Sequence, residues 1–248
     1  MHILVLQHAR VEHPGSFRNL LAEDGHTWDS VELDEGEQLP LLDDYDALWV
    51  LGGPMDVWEE DIHPWLKPEK AFIREAVESR GMPFLGLCLG HQLLAEALGG
   101  KCGKAKQSEV GVMPVQLTEA GMDSEFLDGL PQSFDCLQWH GAEVVTMPPG
   151  AKCLASSPAC SIQAMSWFTR AFSVQFHVEV EPETVDNWAA IPEYAEALVN
   201  QFGDDGVELL RNACDESMDK FQDMTERVYI NWLHTARGQS CFMGSGQR

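Results

Sequence analysis

A chain of 248 residues, 44% apolar and 23% charged, has room for one large domain with a sizeable core, or for one domain plus an appendage. Forty acidic against sixteen basic residues give a formal charge of −24. A surface that negative repels phosphate backbones and anionic headgroups, so neither nucleic acid nor membrane is an expected partner. The acids are spread along the chain, as in a well-solvated surface, and no apolar run approaches the ~20 residues that span a bilayer. Seven cysteines, an odd number with no C-x-x-C pair, argue against a disulfide framework and a zinc ribbon and for a reducing cytoplasm.

In chain order, residues 2–7 read as a first strand, with neither the basic region nor the cleavage site of a signal peptide. Ser16 is a candidate N-cap for a helix whose apolar positions Phe17, Leu20 and Leu21 follow helical spacing, with Gly25 ending it. Residues 28–33 form a second strand and residues 47–51 a buried third. A loop follows over residues 52–61. Residues 65–80 carry Phe72, Ile73, Ala76 and Val77 at the spacing of an inward helical face, and Gly81 stops the helix. Continuous apolar strands separated by helices imply a parallel sheet covered on both faces, with functional groups at the carboxyl ends of its strands. From Lys104 to about Val180, short alternating runs and turn residues suggest strand pairs. Residues 184–202 and 206–237 read as helices, with Val207, Leu210, Ala213 and Met218 among the buried positions. Residues 238–248 read as a flexible tail. The expected division is a main domain over 1–202, a helical extension over 203–237 packed on it, and that tail.

The most informative segment is Gly86-Leu87-Cys88-Leu89-Gly90, followed by His91-Gln92. It lies between the apolar run 82–87 and a helical run that closes on Gly99-Gly100. A strand-to-helix elbow of this kind needs flanking glycines, because side chains there would collide with neighbouring elements. The cysteine then sits at a helix N-terminus, where free N–H groups favour a thiolate and can hold a developing oxyanion. A buried structural cysteine in a tight turn is the plain alternative. Context against it comes from Phe172-Ser173-Val174-Gln175-Phe176-His177-Val178-Glu179. Alternation along a strand puts His177 and Glu179 on one side and Phe176 and Val178 on the other. A thiol nucleophile, a base and a carboxylate to orient the base are thereby available as Cys88, His177 and Glu179.

These motifs resemble the class I, or triad, glutamine amidotransferases, and the glutaminase domain of GMP synthetase in particular, over roughly residues 45–182. The elbow from Gly86 to Gln92 matches residue by residue. Gln175-Phe176-His177-Val178-Glu179 matches Q-F-H-P-E except that Val178 stands in place of proline and restores an N–H that proline lacks. Leu51-Gly52-Gly53-Pro54 resembles the glycine-rich oxyanion strand end, Ser108-Glu109-Val110-Gly111 the border of the glutamine pocket, and Gln138-Trp139-His140-Gly141 the segment that receives the glutamyl group.

The resemblance implies a flavodoxin-like α/β fold, a mainly parallel sheet with added antiparallel strands and extra C-terminal helices. It implies backbone N–H groups near Gly53 and Leu89 as the oxyanion hole, and Gly52, Gln92, Trp139 and His140 as substrate-binding residues. The implied substrate is a small γ-glutamyl compound, cleaved at its amide bond through a thioester with neither cofactor nor metal. Two kinds of chain fit: a self-sufficient hydrolase, similar to plant γ-glutamyl peptidases, and a glutaminase subunit feeding a separate synthase. The candidate partners are such a synthase or further copies of the chain.

The remaining features read as structural. Glu59-Glu60-Asp61-Ile62-His63 is a solvated loop rather than a metal site, flanked by Trp58 and Trp65. The helix turns His91 away from the strand of His177, so a structural hydrogen bond is expected for it. The other six cysteines lack a comparable setting.

Overall fold

The computed structural model describes residues 1–238; the expected flexible tail lies outside the described residues except for Gly238. One nine-stranded sheet runs through the molecule in the order β2-β1-β3-β4-β9-β8-β7-β5-β6. Strands β1 (His2–Gln7), β2 (Thr27–Glu32), β3 (Ala47–Val50) and β4 (Phe84–Leu87) pair in parallel, as does β9 (Ala171–Val174) with β4. From β9 outward the pairing turns antiparallel through β8 (Ala164–Trp167), β7 (Ala151–Ser156), β5 (Lys101–Leu117) and β6 (Ser133–Thr146). The sheet is therefore mixed, as expected.

The parallel strands are apolar on both faces because both faces are covered. Ile3, Val5, Trp49 and Leu85 point into one core and Leu4, Leu6, Leu48 and Phe84 into the other. The second core is roofed by α2 (Leu66–Arg74) and α3 (Leu89–Ala97). The first is covered by α1 (Phe17–Glu23), by α5 (Thr184–Trp188) and α6 (Pro192–Phe202), and by α7 (Gly206–Ala236), after the one-turn α4 (Glu119–Met122). The long helix α7 lays Leu210, Cys214, Phe221, Met224, Val228 and Trp232 on the sheet at helical spacing. Its Trp232 meets Trp49 edge-on at 5.2 Å and donates its indole N–H to the carbonyl of Phe84 at 3.0 Å.

Three expected local features differ. Ser16 is already in helical backbone geometry and caps nothing; its hydroxyl donates instead to Thr225 Oγ1 on α7 at 3.2 Å. The helix expected over 65–80 is α2 continued by a π turn at Glu75–Ser79, with Phe72 only half-buried. The single helix expected over 184–202 is two, because Pro192 forces Ile191 into an extended conformation and opens a corner between them. Among the described residues no helix is long and apolar enough to cross a membrane.

Candidate active site

Cys88 stands at the junction of β4 and α3 with φ 50° and ψ −103°, a conformation that side chains other than glycine rarely adopt and that costs about 1–3 kcal/mol. The surroundings enforce it. A Cβ on Gly86 would come within 2.7 Å of the Gly90 carbonyl oxygen, and one on Gly90 within 1.9 Å of the Val50 carbonyl oxygen. The N–H of Cys88 is held by the Val174 carbonyl at 2.9 Å, and that of Gly90 by Leu51 at 3.1 Å. The elbow is thus pinned between β3 and β9, with its thiol almost buried.

Beyond β9 the chain stays extended and makes a single antiparallel bridge to β6, in which His177 exchanges backbone hydrogen bonds with Leu137. This extension carries His177 and Glu179 to one side, and His177 Nδ1 lies 2.6 Å from Glu179 Oε1. The carboxylate's other oxygen accepts the N–H of Val178 at 2.9 Å. Trp188 closes over the imidazole edge-on at 4.6 Å. Burial alone pushes His177 down, but the charges of Glu179 and Cys88 and hydrogen bonds with both raise it well above the ordinary histidine range. Sulfur, imidazole and carboxylate, drawn from widely separated segments, come together.

The two segments that carry the candidate oxyanion donors lie against each other. Leu89 opens α3, and a Cβ on Gly53 would touch the Leu89 side chain at 2.8 Å and His8 Cβ at 2.7 Å. Gln92 is held by the protein itself. Its amide donates to Gln175 Oε1 at 3.1 Å and to the Ala142 carbonyl at 3.2 Å, while Gln175 donates to Cys88 Sγ at 3.5 Å. The two amides thus form a hydrogen-bonded chain that ends on the thiol.

Trp139 and His140 sit on β6 opposite Val110 and Glu109 of β5. Trp139 packs 5.4 Å from Tyr194 and 5.8 Å from Trp188. Its buried indole N–H finds no hydrogen-bond partner among the described residues. His140 Nδ1 lies 3.0 Å from the Ala142 carbonyl, and its Nε2 comes to 3.2 Å of Glu109 Oε2 without the alignment of a hydrogen bond. Glu109 is fixed by Ser157 and Gln163, each at 2.7 Å.

The features read as structural have partners of that kind. His91 is fully buried, with Nδ1 2.8 Å from Ser173 Oγ and Nε2 3.2 Å from the Ile162 carbonyl. In the loop, Glu59 caps the N–H of Asp56 at 2.9 Å, and Glu60 pairs with Lys67 and Lys70. Among the described residues no cluster of metal-ligating side chains occurs.

Beside Trp188, four polar residues around the centre escaped the sequence reading. Glu12, in the loop after β1, is buried with one oxygen on the Tyr194 hydroxyl and the other 1.9 Å from where a Gly52 Cβ would be; the same Cβ would lie 3.4 Å from His177 Cε1. Burial raises the Glu12 carboxyl, with the His177 charge and the Tyr194 hydrogen bond opposing. Burial, then the charges of Glu12 and Cys88, push the Tyr194 hydroxyl well above its usual range, so it stays a donor. His8 and Glu69 form a second buried pair, Nε2 to Oε1 at 2.8 Å, under Gly52. Glu12 and His8 were findable as polar residues at the carboxyl end of the first parallel strand, where α/β sheets bind ligands.

Comparison with known proteins follows the same outline. Residues 17–189 match the family model described as glutamine amidotransferase class-I. A GMP synthase of Aeropyrum pernix is 36% identical over 161 residues, 63% of this chain, which spans only 29% of that protein's length. A glutamine-hydrolysing GMP synthase subunit of Sulfolobus acidocaldarius is 34% identical over 62% of this chain and 77% of its own. A glutamine amidotransferase-like protein of Salmonella typhimurium, YfeJ, is 27% identical over 92% of this chain and 95% of its own. The crystal structure of a glutamine amidotransferase from Thermotoga maritima superposes with a TM-score of 0.83 at 27% identity, covering 95% of this chain and 98% of that one.

Proposed function

The chain belongs to the class-I glutamine amidotransferase family, and from that premise we propose that it is a self-sufficient cysteine amidohydrolase, cleaving the γ-glutamyl amide bond of a small amine or peptide conjugate. The observation that carries the reading is the convergence of Cys88, at a strained helix N-terminus, with a buried imidazole whose Nδ1 is held by Glu179 at 2.6 Å. With Nδ1 engaged, Nε2 is the nitrogen left to take the thiol proton. The thiolate attacks the γ-carbonyl carbon, and the oxyanion is received by the N–H groups of Gly53 and Leu89, worth about 2.7–4 kcal/mol per donor. The C–N bond breaks, and the amine leaves with the proton from His177. Water, deprotonated by the same ring, then hydrolyses the thioester to free glutamate. Glu109, Trp139 and His140 border the glutamyl group, with Gln92 acting through Gln175 on the sulfur.

Family members that act as subunits favour a second reading, a glutaminase that hands ammonia to a synthase partner, since the Sulfolobus acidocaldarius relative is named as one subunit of such an enzyme. What favours the first is the helical segment beyond residue 189, where the family match ends, because its α6 brings Tyr194 onto Glu12 beside the centre. The six described cysteines are free, in keeping with a reducing cytoplasm.

The test is turnover by the purified chain alone against L-glutamine and a panel of γ-glutamyl amines and peptides. Robust release of an amine with feeble glutaminase activity supports the hydrolase; negligible turnover until a synthase is added supports the ammonia-delivering role. Activity that survives Cys88→Ala would overturn both.

A further inference from the structure

The His8–Glu69 pair has no part in the chemistry above, yet it is built at some expense. Both side chains are fully buried, His8 at the end of β1 and Glu69 within α2, and Trp65 stacks on the imidazole at 5.3 Å. The second oxygen of Glu69 finds no hydrogen-bond partner among the described residues. A half-satisfied buried carboxylate is a costly arrangement that calls for a reason.

The reason lies at the other ring nitrogen. His8 Nδ1 is 2.9 Å from the carbonyl oxygen of Gly52, and since a carbonyl only accepts, Nδ1 carries the proton. Glu69 holds Nε2, so the ring cannot turn away. Burial alone would push His8 down, but Glu69, the Gly52 carbonyl and Glu12 more than offset it and raise the ring above the ordinary histidine value.

The carbonyl of Gly52 and the N–H of Gly53 belong to one peptide unit, and none of the described peptide bonds is cis. Across a trans peptide the two groups point in opposite directions. Fixing the carbonyl toward His8 therefore fixes the Gly53 N–H away from it. A glycine pair is where such a restraint is needed, because Gly-Gly has little rotational preference of its own.

We propose that His8 and Glu69 are positioning residues for the oxyanion hole, clamping the Gly52–Gly53 peptide so that the Gly53 N–H faces the reacting carbonyl. The inference rests on the reading of Cys88 as the nucleophile. It also gives α2, through Glu69, a task in the reaction.

The experiment uses the full chain with γ-glutamyl-p-nitroanilide and L-glutamine as substrates, and iodoacetamide as a probe of the thiol. Alkylation by iodoacetamide displaces iodide without forming an oxyanion, so it reads the Cys88 thiolate and not the hole. His8→Ala is expected to lower kcat by about 100-fold, in the range seen when one oxyanion donor is lost. KM should stay within about threefold, and the rate of Cys88 alkylation within about twofold. The double variant His8→Ala/Glu69→Ala, which strands no buried carboxylate, should show the same loss while still unfolding in one cooperative thermal transition, at a lowered melting temperature. Glu69→Gln, which still accepts from Nε2, should retain intermediate turnover. A kcat within about twofold of wild type in the folded double variant overturns the proposal, as does a loss of alkylation in parallel with turnover. Retained turnover in Cys88→Ala would instead overturn the underlying assignment of the nucleophile.

Discussion

Val178 donates its backbone N–H to Glu179 Oε2 at 2.9 Å, while the other oxygen of the same carboxylate receives His177. The carboxylate is thus aimed by its own neighbour, and a proline at 178 could not do this. Thr225 Oγ1 of α7, 2.6 Å from the Val178 carbonyl, fixes the other side of that residue. Val178→Pro should lower kcat by about tenfold or more, since hydrogen bonds to charged groups contribute about 1.5–3 kcal/mol. Val178→Ala keeps the N–H, and should keep kcat within about threefold while losing stability through the methyl groups removed from a fully buried site. Steady-state kinetics on the two variants decide it; equal effects would mean that the N–H does nothing.

Selective labelling follows from the surroundings of the cysteines. Burial holds Cys160 and Cys214 up to about 12 and raises Cys102, Cys136 and Cys153 as well, so all five stay as thiols near neutral pH. Among the described cysteines, Cys88 alone stands at a helix N-terminus beside an imidazole that can take its proton. A glutamine-like electrophile should therefore modify Cys88 first at pH 7, and His177→Ala should slow that modification at least tenfold. Peptide mapping by mass spectrometry measures both; equal labelling of several cysteines, or labelling indifferent to His177, would leave the elbow a structural turn.

Gly52 is the point at which the two unforeseen acid pairs meet the imidazole. A Cβ there would lie 1.9 Å from Glu12 Oε2 and 3.4 Å from His177 Cε1. Gly52→Ala should abolish turnover and lower the melting temperature by several degrees. Gly52→Ala/Glu12→Ala removes the colliding carboxylate and should restore most of the lost stability. If the double variant is no more stable than Gly52→Ala, the collision is not with Glu12.

Much of this centre was legible because its signals are local. Glycines two residues to either side of Cys88 mark an elbow, and an H-x-E on an extended segment puts imidazole and carboxylate on one side. Tyr194 was not legible, because it reaches the centre only past the corner that Pro192 makes between α5 and α6, and no periodicity encodes where such a corner lands. The motif position of Gln92 implies a contact with substrate, and the structure adds a second relation that no local pattern encodes, its amide donating to Gln175 beside the thiol. Ser16 reads as a cap in one dimension, but α7 offers its hydroxyl a partner over two hundred residues away.

The last expectation concerns His91, which stands next to the nucleophile but serves the fold. Its Nε2 meets a carbonyl, which only accepts, so Nε2 carries the proton; Nδ1 then accepts from the hydroxyl of Ser173. A second proton has nowhere to go, and burial holds the ring down at about 3 against an ordinary 6.5. Because the folded value is depressed, the folded chain takes up this proton less readily than the unfolded one. The stability that neutral His91 contributes is complete above pH 6.5 and is lost as the pH falls from 6.5 toward 3. His177 and His8 are raised instead, so their contribution is complete below 6.5 and lost only as the pH rises through their folded values. Burial raises Glu12, which works in the opposite sense to His91 on acidification, so the comparison must be between proteins that share it. His91→Gln cannot take a proton. Its urea-unfolding free energy should fall less than that of the wild type between pH 6.5 and about pH 5, by about 2 kcal/mol at 1.36 kcal/mol per pH unit. Parallel curves for the two proteins across that window would mean that His91 accepts a proton in the folded state, and that the tautomer assigned to it is wrong.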